Sequence, residues 1–297
     1  MSLTFIIFIT DDIVYENILK IEKLYAIFFK SSIDSLVKMI EIVPYSHDWP
    51  HIFLKEAQLI DEALGCNLID IHHVGSTSVP GLISKNKIDI IAVVRDGNLS
   101  ISPLEQAGFN YKGEWNIPFK FGFTKRDLHH VNLHLFEEGH CEIELNLLFR
   151  DLLRKYHTIK DEYANLKRSI LNDETAHEKH HSFLANYTLR KDDFIRYQLK
   201  KIGFQGRRFL KITHYAEWND YHRIKEAQCL WTPIIESPSH HYFMLSHGMD
   251  TAAIAHIELL RNQKAITHFF AVDPIFKGQG FDLELGNLIQ KWLSKPR

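Results

Sequence analysis

The stretch His73-Val74-Gly75-Ser76-Thr77-Ser78-Val79-Pro80-Gly81-Leu82, followed by Lys85 and then Ile88-Asp89-Ile90, decides how the chain is read. Ile69 to Val74 has the pattern of a strand. Ile88 to Val94 is a near-continuous apolar run, which suggests a strand buried on both faces. Between them Gly75-Ser76-Thr77-Ser78 and Pro80-Gly81 form a small-residue turn before a helix start. One acid, Asp89, interrupts the apolar run, and a carboxylate there needs a partner or a purpose. The turn lets backbone amides and the Ser76 hydroxyl approach a nucleotide's phosphates, while Asp89 can hold a magnesium ion against them. Phosphoryl and nucleotidyl transfer consist largely of positioning and charge neutralisation, so metal bound by carboxylate is what that chemistry needs. The same residues also fit a structural reading: a helix N-cap at Ser76 or Ser78, with a strand-end aspartate in a hydrogen-bond network.

Outward from this stretch, Pro44 to Leu64 reads as an extended lead-in and a helix carrying Ile52, Phe53, Ala57, Ile60 and Leu64, ended by Gly65. Strands are expected at Val131 to Phe136 and Cys141 to Leu148, joined by the turn Glu137-Glu138-Gly139-His140. Helices are expected at Leu152 to Leu171 and Ala176 to Leu199. Gly203 to Arg208 is the expected domain boundary. Beyond it lie strands at His241 to Leu245, Ala253 to Leu260 and Ala265 to Val272, then a helix at Leu283 to Leu293. Helical spacing from Val14 to Ile42 suggests an N-terminal extension. The expected organisation is an extension over residues 1–40 and two α/β (α+β) domains, 41–200 and 208–297.

Composition agrees with two domains: 297 residues and 34.8 kDa, 45% hydrophobic and 24% charged, exclude a disordered or collagen-like chain. A net charge of −2 and a pI near 6.8 give no global field for nucleic acid or an anionic membrane. The cluster Arg207-Arg208-Lys211 reads as a solvated linker rather than an RNA contact. Cys66, Cys141 and Cys229 make neither a disulfide framework nor a thiolate metal site, which fits a reducing cytoplasm. The apolar Phe5 to Ile9 is too short for a secretion signal, and no run is long enough to cross a membrane. Among 19 histidines the doublets His72-His73, His129-His130, His180-His181 and His240-His241 stand out. None has the helical i, i+4 pairing with a glutamate of a zinc protease, and neighbours on a strand point to opposite faces, so the doublets specify no metal site.

Several ordered motifs carry a family resemblance: Glu41-Ile42-Val43-Pro44-Tyr45 with Trp49, His73 to Leu82, Lys85, Ile88-Asp89-Ile90, Asn132-Leu133-His134, Phe149-Arg150-Asp151, Leu153-Arg154, Tyr163, Leu166-Lys167, Tyr187-Thr188, Lys191 and Phe194-Ile195. Over residues 41 to 198 the chain resembles the GrpB family. The resemblance implies a nucleotidyltransferase-like fold, a mixed sheet with a glycine-serine helix start and carboxylates on adjacent strands. It makes Gly75 and Ser76 the nucleotide-phosphate turn and Asp89 the first metal ligand. Ile91 stands where active nucleotidyltransferases carry a second ligand, and Asn86 stands where the family usually has proline. The remaining metal ligands are sought at Glu142 and Glu144, which share one face of the expected strand. Glu144 is the preferred catalytic partner of Asp89 and Ser76, since Ile143 and Leu145 would then face the core. An exposed acidic face is the competing reading. Lys85, His134 and Arg150 are candidates to bind phosphate oxygens, with Asp151 capping the following helix.

At the C-terminus, Phe270-Ala271-Val272-Asp273-Pro274 and Lys277-Gly278-Gln279-Gly280 resemble the acetyl-CoA loop of GNAT N-acetyltransferases. Glycines at a helix start leave backbone N–H groups free for a pyrophosphate. The resemblance implies a shortened GNAT-like domain in which the strand ending at Val272 pairs with pantetheine. Lys277, Gly278, Gln279 and Gly280 would then cradle the pyrophosphate. Asp282 stands where the pattern wants a small residue, and Glu258 and His268 are the general-base candidates. Three functions follow as expectations: a transferase using ATP or another nucleotide with Mg2+, an acyl-CoA-dependent acetyltransferase, and a non-catalytic nucleotide-binding or scaffold protein.

Overall fold

Trp49–Leu64 forms α1, with Pro50 in its first turn and Gly65, at φ 51°, closing it. In this computed structural model the described residues are 40–178, 185–213, 215–230, 233–260 and 264–295. The chain divides into two compact units, Met1–Ile40 and Glu41–Arg297. The expected extension, Ile40 apart, lies outside the described residues, and both sheets belong to the second unit.

The first sheet contains β1 (Leu68–Val74), β2 (Ile88–Val94), β3 (Asn110–Gly113), β4 (Phe121–Arg126) and β5 (His130–Glu137), in the order β1-β2-β5-β4-β3. Only β2 and β5 pair in parallel. Ile88, Ile90, Ala92 and Val94 pack with α1 and with Leu104 of α2 (Ile101–Gln106). Ile91 and Val93 pack on the opposite face with Val74, Phe136, Ile143 and Leu147. The run Ile88 to Val94 is therefore covered on both sides, as its composition requires.

Cys141 to Leu148 is not a strand but the start of α3 (Cys141–Lys155), a correction to the sequence reading. Alternation of Ile143, Leu145 and Leu147 imitates a strand. In the helix Ile143 and Leu147, one turn apart, meet the first sheet, while Leu145 and Leu148 pack with Leu199, Phe204 and Met249. The His140 Nδ1 atom accepts from the Glu142 N–H at 3.3 Å and caps this helix. The chain then breaks at Tyr156, so the single helix expected from Leu152 to Leu171 becomes the end of α3 and α4 (His157–Leu171). Residues 179–184 of the helix expected over Ala176 to Leu199 lie outside the described residues; the rest of that span holds the end of a short 3₁₀ turn, α5 (Asn186–Leu189) and α6 (Asp192–Lys201).

The second sheet is β6 (Arg207–Lys211), β7 (His240–His247), β8 (Asp250–Leu259) and β9 (Ala265–Val272), antiparallel in sequence order. Tyr221 and Ile224 of α7 (Tyr215–Ala227) cover one face, and α8 (Phe281–Leu293) covers the other. The chain is thus a mixed α/β protein with two sheets. Arg208 is no solvated linker residue: its Nε donates to Glu142 Oε1 at 2.7 Å, and their side chains are 19% and 5% exposed. Trp292 Nε1 also donates to Glu114 Oε2 at 3.0 Å. Among the described residues no helix is long and apolar enough to cross a membrane.

Candidate functional site

Gly75 joins β1 to the turn with φ 68°, a conformation that side chains disfavour. A Cβ at this position would stand 2.6 Å from Asp89 Oδ2. The absence of a side chain is what lets the turn lie against the carboxylate. Ser76–Ser78 is a three-residue 3₁₀ turn with no side-chain cap; the Ser78 hydroxyl instead donates to the Gly75 carbonyl at 2.6 Å. The helix start and N-cap expected here are replaced by this self-bonded turn.

Asp89 is paired in register with Val74 of β1 and Asn132 of β5. Its Oδ1 accepts from Asn132 Nδ2 at 2.7 Å, and Arg126 Nη2 donates to Asn132 Oδ1 at 2.7 Å. His134 Nε2 stands 3.9 Å from the same Asp89 oxygen, beyond hydrogen-bond reach. Burial raises the Asp89 carboxyl, but His134, the Lys87 charge and the Asn132 bond outweigh it and hold the group below the usual range. Its side chain is 30% exposed, so an ionised carboxylate is presented at the surface.

Lysines stand near this turn. Lys167, with 1% of its surface exposed, donates from Nζ to Ser76 Oγ at 3.1 Å and also bonds the Ile83 carbonyl. The ammonium groups of Lys85 and Lys191 each lie 4.5 Å from the centre of the buried Tyr187 ring. Burial, followed by neighbouring positive charge, pushes Lys167 and Lys191 down to about 7 and Lys85 to about 8. Lys120, also buried, is pushed to about 8 by desolvation against the pull of Glu142 and Asp89. The arrangement gathers lysine ammonium groups beside one carboxylate, a charge pattern suited to an anion and a cation together.

The structure brings Gly75, Ser76, Lys85, Asp89 and His134 into this neighbourhood and leaves other expected residues out. Glu142 is committed to Arg208, and Glu144 lies on the exposed side of α3, so neither touches Asp89. The shared strand face that made them metal ligands does not exist. Arg150 is not a free phosphate ligand: it bonds the His73 carbonyl at 3.2 Å and pairs with Asp151 at 2.7 Å. Asp151 therefore sits inside α3 and caps nothing. Ile91 is fully buried in the apolar layer under α3. Asn132, Lys167, Tyr187 and Lys191 were legible only as motif residues, because the pairings that give them roles span tens of residues. A cavity of about 160 Å³ lined by Arg196, Arg208, Asp192 and Glu217 includes none of the Ser76–Asp89 residues.

At the C-terminal loop, β9 ends at Val272 and a 3₁₀ turn leads through Lys277, Gly278, Gln279 and Gly280 into α8. Gly278 and Gly280 both have φ 79°, and a Cβ on either would meet nothing within 4 Å. Gln279 Nε2 is turned back onto the Ile275 carbonyl at 3.1 Å. Asp282 and Glu284 occupy the first turn of α8, and Glu284 pairs with Arg207.

The GrpB protein family model matches residues 39–201, more than half of the chain. The chain belongs to the GrpB family. Among relatives of this GrpB chain, UPF0157 protein BH1888 of Halalkalibacterium halodurans is 36% identical over 48% of this chain and 75% of its own length. UPF0157 protein YqkA of Bacillus subtilis is 34% identical over 54% of this chain and 46% of its own. Glutamate-rich protein GrpB of Alkalihalophilus pseudofirmus is 28% identical over 52% of this chain and 90% of its own. A crystal structure of conserved protein GrpB from Enterococcus faecalis, 28% identical, covers 54% of this chain and 96% of that one with a TM-score of 0.48. The GrpB match includes Gly75, Ser76, Asp89, Asn132, Lys167 and Lys191, and stops before β6.

Proposed function

We propose that this GrpB-family protein binds a magnesium-complexed nucleotide at the turn Gly75-Ser76, with a nucleotidyltransferase-like transfer of a phosphoryl or nucleotidyl group as the reaction it is built for. The observation that carries this reading is the placement of one ionised, partly exposed carboxylate, Asp89, against Gly75, which has no side chain, with Lys167 bonded to Ser76 and Lys85 and Lys191 gathered on the nearby Tyr187 ring. Asp89 would be the carboxylate ligand of the Mg2+. The three lysines would neutralise phosphate oxygens, and Ser76 Oγ would add one hydrogen bond. A single carboxylate gives fewer fixed ligands than two-metal chemistry uses, so the remaining Mg2+ ligands would be phosphate oxygens and water. Anion binding favours protonated lysine. Because Lys167 and Lys191 sit near 7 and Lys85 near 8, affinity should be strong below pH 7 and fall as pH rises towards 9.

Calorimetry with ATP, GTP, CTP and UTP, with and without Mg2+, tests this. The expected result is binding that takes up protons at pH 7.5, loses its Mg2+ dependence in Asp89→Asn and weakens about tenfold or more in Lys191→Ala. Silence towards all four nucleotides leaves the non-catalytic scaffold reading.

A second reading concerns acyl-CoA in a GNAT-like C-terminal half. It is favoured by the passage from the edge strand β9 through two left-handed glycines into α8, which leaves space where a pyrophosphate would lie. Coenzyme A binding that is lost in Gly280→Glu would support it.

A further inference from the structure

Three histidines of the second sheet come together although the sequence spreads them over 29 positions. His240 is on β7, His256 on β8 and His268 on β9, and one ring nitrogen of each lies within 4.8 Å of the others. His240 Nδ1 and His256 Nε2 are 2.8 Å apart, and the ring of His268 stacks 4.4 Å from that of His256. Glu258 stands beside two of the three. Its Oε2 accepts from His268 Nε2 at 3.0 Å, and its Oε1 is 3.8 Å from His240 Nε2.

A backbone irregularity builds the cluster. His256 pairs with Phe269 while Ile257 pairs with Thr267, so His268 is the extra residue of a β-bulge. A bulge redirects a side chain that regular alternation would send to the other face. The doublet His240-His241 behaves as strand geometry demands: His241 turns to the α8 face and meets Trp292 at 5.1 Å, while His240 joins His256 and His268. The metal-ligand pattern therefore runs across strands, where the sequence alone does not display it.

His256 is 1% exposed, and its Nδ1 is buried without a hydrogen-bond partner. The nitrogen turned to His240 is the other one, Nε2, so Nε2 is the atom His256 offers to an ion shared with His240. A tetrahedral Zn2+ bonded to imidazole at about 2.0–2.1 Å holds its ligand nitrogens about 3.3 Å apart. The nitrogens, within 4.8 Å of one another, would close to that spacing around an ion. Glu258 then matches the outer carboxylate that fixes the tautomer and orientation of metal-bound histidine.

We propose that His240, His256 and His268 bind one divalent transition-metal ion of the class imidazole favours, with Glu258 orienting His268 from behind. The site rests on neither the nucleotide reading nor the acyl-CoA reading. Three protein ligands leave a fourth position for water or a ligand.

The test uses the full chain stripped of metal with a chelator, with Zn2+ followed by calorimetry and Co2+ by its visible absorption. One equivalent of Zn2+ should bind, the Co2+ complex should show the intense bands of a tetrahedral site, and Zn2+ should raise Tm. His268→Gln changes a ring at the exposed sheet edge, so its fold is expected to survive. It should weaken Zn2+ at least tenfold and abolish the tetrahedral bands, whereas His72→Gln should leave both unchanged. Glu258→Gln should weaken Zn2+ about tenfold. Failure of the wild-type chain to bind Zn2+, or equal binding by wild type and His268→Gln, overturns the site.

Discussion

Gly75 meets two demands at once, a backbone conformation at φ 68° and the approach of Asp89 Oδ2 to within 2.6 Å of where a Cβ would lie. Gly280 meets the first demand alone, at φ 79° with open space around it. Gly280→Ala should therefore cost about 1 kcal/mol of unfolding free energy, while Gly75→Ala should cost about 2–4 kcal/mol, because strain and displacement of Asp89 add to it. Urea unfolding of the two variants makes the comparison; equal losses would show that the Asp89 contact imposes no constraint. Asn86 illustrates a departure that the sequence could register but not interpret. Its Oδ1 accepts from Nε1 of the buried Trp49 at 2.9 Å, so it gives an indole N–H a partner that proline could not provide.

At the level of elements, legibility followed the uniqueness of the hydrophobic pattern. β2 was plain because its apolar run, broken only by Asp89, is too short for a buried helix and carries β-branched residues. The start of α3 was not, since alternating Ile143, Leu145 and Leu147 satisfies a strand as well as a helix that is buried on two sides. β3 and β4 escaped because Gly113 and Gly122 face each other and weaken the alternating signal. The metal-ligand roles given to Glu142 and Glu144, and the catalytic role given to Glu144, fell with the strand that was to carry them. Glu142 instead joins α3 to β6 through Arg208. Removing one partner of a buried ion pair strands the other charge, so Glu142→Ala should lower stability by about 3–5 kcal/mol. The double variant Glu142→Leu with Arg208→Met should recover a large part of that loss. A double-mutant cycle by denaturant unfolding checks this; additive losses would mean that the pair is not coupled.

For the whole molecule, acid should act through buried imidazole before it acts on the carboxylates. Burial, assisted by Arg154 and Arg150 against the pull of Asp89, pushes His73 down to about 4. The unfolded chain takes up that proton near 6.5, so stability is full above that value and declines as pH falls from about 6.5 towards 4. Asp89, depressed in the folded state, loses its contribution only at lower pH, as pH falls through its folded value. The loss assigned to His73 is on the order of 2 kcal/mol between pH 7 and pH 4.5, and His73→Gln should flatten that part of a Tm-against-pH curve. A curve identical to wild type would remove His73 as the cause.

The parallel pairing of β2 with β5 fixes when the groups around Asp89 can assemble. Asp89 and Asn132 are 43 residues apart and Ser76 and Lys167 are 91 apart, so closure must await a long intervening segment, and contacts of such span form slowly. A ribosome-bound chain can pair β1 with β2 early, yet its set of lysines stays incomplete until Lys191 has emerged. Asp89, Ser76 and their lysines therefore come together only after α6 has begun to dock.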